Sequence, residues 1–229
     1  MNKMDIELFY EEKGSGEPLI LLHGNGEDHT IFCKIADYFA KKYRVIAIDT
    51  RGHGSSPLGE EPFSLYQFAE DLNEFMEEHQ IEKANILGFS DGGNIALIFA
   101  SKYPEKVIKL IANGANTKPS GIKPLVHAAM LFRYLIYSVA AALSQKFAIK
   151  KALYYIMLHE PHITKEELEQ ITAPTLVLVG TEDLITESES RYIKKTIPNS
   201  EIVFVIGDHF ILKNNTKDYI FAVEKFLDK

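Results

Sequence analysis

The stretch ANILGFSDGGNIALIFA, residues 84–100, sets one serine, Ser90, between Gly88 and the pair Gly92 and Gly93, where an apolar run gives way to a helical pattern. A strand that passes straight into a helix through one residue forces that residue into an uncommon backbone conformation, tolerated when its neighbours lack bulk. Gly-Phe-Ser-Asp-Gly is a G-x-S-x-G corner, in which the hydroxyl stands clear of the sheet at a helix N-terminus. The free N–H groups and positive dipole of that helix end favour a nearby oxygen anion. A serine hydroxyl at neutral pH is a weak nucleophile and needs a base within hydrogen-bond reach, itself oriented by a carboxylate. The sequence offers both: VLVGTEDLIT carries Asp183 in the loop after one apolar run, and VFVIGDHF carries His209 in the loop after another. Glu182 and Asp208 are rival acids beside them and read as surface residues.

Residues so far apart in sequence meet only if the elements between them aim their loops at one place. PLILLHG, YRVIAID, ANILGF, VIKLIAN, APTLVLVG and SEIVFVI are short apolar runs of the buried-strand type, and DIELFYEE alternates as a half-exposed strand. Between them, Ile31, Ile35, Tyr38 and Phe39 recur at helical spacing, and Leu65, Phe68, Ala69, Leu72, Phe75 and Met76 form an apolar stripe behind a Ser64 N-cap. Further helices are expected over 91–103, around 187–196 and at the end of the chain. Strands alternating with amphipathic helices predict an α/β fold, a doubly wound, mostly parallel sheet covered on both faces. In such a sheet the loops bearing Ser90, Asp183 and His209 open at the same edge. The alternation breaks once, between residues 115 and 171, where PLVHAAMLFRYLIYSVAAALSQ and AIKKALYYIMLHE are helical with no strand between them. The expected organisation is therefore residues 1–114 as the first part of a core, 115–171 as an inserted helical cap, and 172–229 as the second part of the core.

At 229 residues, with 46% hydrophobic and 25% charged residues, the composition is that of one globular core with a decoration, without disorder, repeats or low-complexity segments. MNKMDIELFYEEKG lacks the basic start and apolar stretch of a secretory signal, and the single cysteine, Cys33, at a helical apolar position, is expected to be a core thiol. Together they predict a cytoplasmic location. The net charge of −7 argues against nucleic-acid partners. Charge is unevenly spread: between Glu105 and Glu160 there are eight lysines and arginines and no acid, which leaves −15 on the rest of the chain. The apolar run from Ala128 to Leu143 is interrupted by Arg133 and falls short of the roughly 20 residues that span a bilayer, so no stable membrane insertion is expected.

LLHGNG at 21–26, IDTRGHGSS at 48–56, GFSDGG at 88–93, GTED at 180–183 and GDH at 207–209, in this order, resemble the α/β-hydrolase family over nearly the whole chain. The resemblance implies Ser90 as nucleophile, His209 as general base and Asp183 as its orienting acid. It further implies an oxyanion hole formed by the backbone N–H groups of Asn25 and Asp91. The implied activity is hydrolysis of a small carboxylic ester, lactone or thioester through an acyl-enzyme, as in esterases and enol-lactonases, with no cofactor and no metal. Carbon–carbon hydrolysis of a vinylogous diketone is the alternative chemistry, and a degenerate ligand receptor the alternative class. Asp91 has two readings, a carboxylate that favours the helix N-terminus or a pocket acid that attracts a cationic group, as in relatives sharing SDGG that hydrolyse amino-acid esters. The basic cap pulls towards anionic substrates or acidic lipid head groups, or is a solvated face. Phe132 and Tyr154 of the apolar cap are the expected substrate contacts beside Asp91, and the oligomeric state stays open. The GNG loop near residue 24 followed by Asp49 imitates a dinucleotide fingerprint but has His29 where the third glycine belongs. HEPH at 159–162 is not the H-E-x-x-H zinc pattern.

Overall fold

Each of the six apolar runs becomes a strand of one sheet in the computed structural model, which describes residues 5–229. The strands are β1 (Tyr10–Lys13), β2 (Glu17–Leu22), β3 (Tyr43–Ile48), β4 (Ala84–Phe89), β5 (Val107–Asn113), β6 (Thr175–Gly180) and β7 (Ser200–Val205). Their order is β1-β3-β2-β4-β5-β6-β7, with β1 antiparallel to β3 and every other pairing parallel. The half-exposed first strand starts later than DIELFYEE implies. Ile6 and Leu8 are buried, but ladder pairing begins only at Tyr10.

The chain leaves β2 for β3 on one side and returns as β4 on the other. A winding that reverses in this way opens a crevice at the carboxyl ends of the strands flanking the reversal. Here those strands are β2, which leads into His23–Gly24, and β4, which leads into Ser90. Site and sheet topology are therefore one feature.

Both faces of the sheet are covered, as the apolar runs demand. One face packs against α2 (Leu65–Glu78) and α3 (Asp91–Lys102), with Phe68, Leu72, Phe75, Ile95 and Phe99 in its core. The other face packs against α1 (Cys33–Phe39) and the C-terminal helix, and its core includes Phe32, Ile35, Phe39, Tyr219 and Val223. Ser64 caps α2 as expected, its hydroxyl accepting the Gln67 N–H at 3.1 Å. Cys33 departs from expectation and is exposed. Ile35, Ala36 and Phe39 take the buried stripe of α1, and Cys33, its first residue, falls on the outward side of that phase.

In the stretch 115–171 a 3-10 turn at Pro119–Gly121 is followed by three α-helices, α4 (Pro124–Ala140), α5 (Gln145–His159) and α6 (Lys165–Gln170). They differ in burial. α4 has no buried residue and α5 has only Ile156 and Leu158, whereas Leu168 of α6 and the following Ile171 join the core cluster that holds α3. At its base this segment is stitched to the loop after β6 by Lys123 N–H donating to the Leu184 carbonyl (2.9 Å) and Thr186 N–H donating to the Gly121 carbonyl (2.8 Å). The remaining helices are α7 (Glu187–Thr196), a short α8 (Ile211–Asn214) and α9 (Thr216–Leu227).

The turn from β4 into α3 leaves no room for a side chain at Gly88 or at Gly92. A Cβ on Gly92 would overlap the Leu22 carbonyl oxygen of the neighbouring strand, while one on Gly93 would meet the Ala115 Cβ at 3.1 Å. The first site would need backbone to move well away, whereas at the second, where the Gly88 and Asn113 carbonyls also lie at 3.2 and 3.3 Å, a small shift suffices. Gly92→Ala is expected to lower unfolding free energy in urea by about 3 kcal/mol, and Gly93→Ala by less than half of that. Equal losses in the two variants would show that the close approach to β2 is not what demands glycine.

Candidate active site

Ser90 is the one residue between β4 and α3, and its backbone lies at φ +55°, ψ −120°. Left-handed φ at a residue with a side chain costs on the order of 1–3 kcal/mol and persists where the surroundings over-determine it. They do so here: the Ser90 N–H donates to the Asn113 carbonyl of β5 (2.8 Å), and the Ser90 carbonyl accepts from Asn94 of α3 (3.0 Å). The corner points Oγ out of the sheet, 2.9 Å from His209 Nε2. His209 Nδ1 lies 2.7 Å from Asp183 Oδ1. Both partners are buried. Ser90, His209 and Asp183 thus form one hydrogen-bonded chain, drawn from the ends of β4, β7 and β6.

Asp183 is held by more than the imidazole. Ile185 N–H donates to Oδ1 (3.0 Å) and Gly180 N–H to Oδ2 (3.3 Å). Burial is the largest influence on this carboxyl and acts to raise it, but the His209 hydrogen bond and charge, with the two N–H donors, outweigh it and hold the group below the usual carboxylate range. An ionised Asp183 fixes the ring with Nδ1 as donor, which leaves Nε2 a lone pair for the serine proton. The rival acids lie elsewhere. Asp208 accepts from Phe210 N–H and Asn214 on the surface, and Glu182 is exposed.

The imidazole sits against Phe89 and Phe210, with ring centroids 4.9 and 5.6 Å away. Beneath it runs Gly114 at φ +60°, where a Cβ would crowd the ring at 2.7 Å. That glycine, just past the end of β5, went unmarked in the sequence because nothing nearby indicates which ring lies over it.

Across Ser90, the loop after β2 brings in Asn25. The N–H groups of Asn25 and Asp91 carry no hydrogen bond among the described residues. Their side chains do: Asn25 Nδ2 donates to Asp91 Oδ2 (2.9 Å) and to the Leu153 carbonyl of α5 (3.2 Å), so one amide ties this loop both to the corner and to the cap. Asn94 Nδ2 reaches Asp91 Oδ1 (3.4 Å) and Asn116 Oδ1 (3.2 Å), and Asn94 Oδ1 accepts the Asn116 N–H (2.8 Å). Neither Asn94 nor Asn116 was singled out from sequence; the i, i+3 spacing of Asp91 and Asn94 was the available signal.

A family model described as alpha/beta hydrolase fold matches residues 17–152. The chain belongs to the alpha/beta hydrolase family. AB hydrolase superfamily protein YisY of Bacillus subtilis is 28% identical, covering 86% of this chain and 86% of its own. The 3-oxoadipate enol-lactonase 2 of Acinetobacter baylyi is 23% identical over 100% of this chain and 96% of its own. Among solved structures, the enol-lactonase of Burkholderia xenovorans shares the fold with a TM-score of 0.83 at 20% identity, covering 100% of this chain and 99% of that one.

A cavity of about 160 Å³ opens over Ser90 in this hydrolase, and its walls correct the expected substrate contacts. Phe132 and Tyr154 do not line it. Phe132 is 65% exposed on the outer side of α4, and Tyr154 stacks on Tyr137 (5.5 Å) and accepts from Arg133 (3.2 Å) between the cap helices. The cap contributes Met130 and Met157 instead, and the cavity floor includes Ile122, Leu184, Ile185 and Phe210. Asp91 does line it, together with Glu27 and Glu160, and no lysine or arginine does. Burial raises all three carboxyls: against the opposing pull of Lys213 for Glu27, of Asn25 for Asp91, and of the Leu65 N–H for Glu160. None of the eight basic residues between Glu105 and Glu160 therefore lines the cavity.

His23, within LLHGNG, and Asp49, which in the sequence imitates part of a dinucleotide fingerprint, hold the crevice in shape. His23 Nδ1 donates to the Gly24 carbonyl (2.8 Å) and Nε2 accepts the Thr50 N–H (3.0 Å), which needs the neutral ring. Asp49 accepts from the N–H groups of His29 (2.7 Å) and Ser55 (2.8 Å). Burial, aided by His53, pushes the His23 imidazole down to about 4 from 6.5, against the Gly24 carbonyl, which favours the proton. The unfolded chain takes up this proton near 6.5 and the folded one resists it until about 4, so stability is lost as pH falls through that window. The contribution is on the order of 3 kcal/mol. Urea unfolding followed across the window should show the slope in the wild type and a shallower one in His23→Gln, which cannot ionise.

Proposed function

We propose that the chain is a serine hydrolase of a small carboxylic ester, lactone or thioester, working through an acyl-enzyme. The observation that carries this reading is the continuous Ser90–His209–Asp183 chain, 2.9 and 2.7 Å, standing at a left-handed corner on a helix N-terminus. In this reading Ser90 Oγ attacks the carbonyl carbon as His209 Nε2 takes its proton. Negative charge gathers on the carbonyl oxygen and is met by the N–H groups of Asn25 and Asp91, both without a partner among the described residues. One such donor is worth about 3 kcal/mol in the transition state. His209 returns the proton to the leaving alcohol, enol or thiol. It then deprotonates a water that releases the acid and restores the serine. Residues 115–171 act as the cap that selects substrate, and the family names of the enol-lactonases support a lactone or ester carbonyl as the target.

The three carboxyls refine the substrate class. Glu27, Asp91 and Glu160 around a cavity without lysine or arginine disfavour an anionic acyl or alcohol group and favour a neutral or cationic one. This observation supports the reading of Asp91 as a pocket acid over the pull of the basic cap towards anionic substrates. Carbon–carbon hydrolysis of a vinylogous diketone would use the same three residues, and a panel holding both phenyl esters and such diketones separates the two chemistries.

Intact-protein mass after treatment with a fluorophosphonate tests the mechanism. One adduct is expected on the wild type and none on Ser90→Ala; absence from both would return the receptor reading. Asp183→Asn is expected to lower kcat by about 10³–10⁴-fold, because the amide no longer fixes the proton on Nδ1. For paired esters of equal size, kcat/KM should be at least about tenfold higher with an amine than with a carboxylate in the alcohol portion. The reverse order would mean that cap charge, not cavity charge, selects the substrate.

A further inference from the structure

α4 is built inside out. Its outer face carries Leu125, Phe132, Ile136 and Val139 at i, i+7, i+11 and i+14, continued by Leu143 just beyond the helix and flanked by Leu131 and Leu135. These side chains are exposed, Leu125 to 85%, Val139 to 82% and Leu143 to 79%. The inner face carries the polar aromatics: Tyr134 packs on Tyr155 and Tyr137 on Tyr154 and Phe147 of α5. A helix packed only against its own core does the opposite. Scattered exposed apolar residues need no explanation, but a continuous apolar stripe along some 25 Å of helix marks a docking surface.

Charge says what covers it. Lys118, Lys123, Arg133 and Lys146 are exposed around this helix and Lys150 and Lys151 are half-buried beside it, with no acid between Glu105 and Glu160. None of the six forms an ion pair among the described residues; within 115–171 the lysine that does is Lys165 of α6, paired with Glu169 at 3.2 Å. Outside residues 106–159 the chain carries −15, so charge is separated along the sequence, with the apolar stripe in its positive part. An apolar helix face rimmed by unpaired cations, opposite an acidic body, matches an anionic bilayer: apolar side chains enter the acyl boundary, cations meet phosphates, and the body is repelled from the surface. A second copy of the same face is a poor partner, because six unpaired cations would face six more. No described helix is long and apolar enough to cross a membrane, so the contact lies in the plane of the surface.

We propose that the outer face of α4, with the basic residues around it, docks this protein on the surface of an anionic phospholipid bilayer. Docking is a property of the cap and stands apart from the chemistry at Ser90. The test is co-sedimentation with vesicles of phosphatidylcholine alone and of phosphatidylcholine mixed with phosphatidylglycerol. The wild type and Ser90→Ala should bind the mixed vesicles alike, at least about tenfold better than the neutral ones, and lose binding as salt rises. Ile136→Ser/Val139→Ser and Lys118→Glu/Lys146→Glu should each lose most of that binding while keeping the wild-type circular dichroism and melting temperature. Equal binding to both vesicle types, no binding to either, or full binding by both folded variants overturns the proposal. So does light scattering that finds a stable dimer dispersed by Ile136→Ser/Val139→Ser, since the stripe would then be a self-interface.

Discussion

The left-handed φ of Ser90 is the constraint from which the rest of the site follows. A strand continuing in β geometry would carry residue 90 along the sheet, and a helix begun one residue earlier would turn the hydroxyl into α3. Only the sharp corner sends Oγ outward while α3 still packs back over β4. The corner costs local strain, and burial offsets it. β4 is central in the sheet, its six residues are all buried, and α3 is buried from Gly92 to Ala100. Each large apolar side chain in that layer contributes about 1.5–3 kcal/mol, more than enough to hold one residue in an unfavourable well.

Once the corner is fixed, the neighbouring strands have little freedom. Gly92 brings α3 against the Leu22 carbonyl, so the loop that leaves β2 must pass beside Ser90, and this is where Asn25 lies. On the other side β5 supplies the Asn113 carbonyl that holds Ser90 and then turns at Gly114, which leaves space for an imidazole. His209 arrives there from β7 and Asp183 from β6, two adjacent strands whose loops exchange the Glu182 N–H to Gly207 carbonyl bond at 2.9 Å. Each catalytic candidate is thus placed by backbone contacts made before its side chain is considered. The cap lacks such backing, for α4 and α5 bury only Ile156 and Leu158 between them.

That difference explains what could be read in the sequence. Ser90, Asp183 and His209 stand at strand ends punctuated by Gly88, Gly180 and Gly207, and such local signals locate a residue at the edge of a parallel sheet without any knowledge of its neighbours. Helical spacing is weaker information, because it finds a stripe without saying which way the stripe faces. Phe132 sits on an apolar stripe that points away from the cavity, and Cys33 falls just outside the buried stripe of its own helix. Contacts between distant loops leave no mark at all. His23 with Thr50, Asn94 with Asn116, and the meeting of Glu27 and Glu160 near Asp91 depend on how β2, β3, α3 and α5 converge.

Charge is sorted between the two sides of the cap. Outside stand unpaired cations around an aliphatic helix; inside, the cavity is lined by three carboxyls and two methionines. A cap that merely shielded a pocket for anionic substrates would carry its cations inward. This one turns them outward and leaves acid beside the serine, so a phosphate attracted to the exterior meets repulsion at the cavity. On the proposed reading, the same insertion holds an anionic surface outside and favours neutral or cationic groups at the serine. Met130 of α4 and Met157 of α5 stand at that boundary, adaptable apolar side chains between a face that favours anions and a cavity that disfavours them.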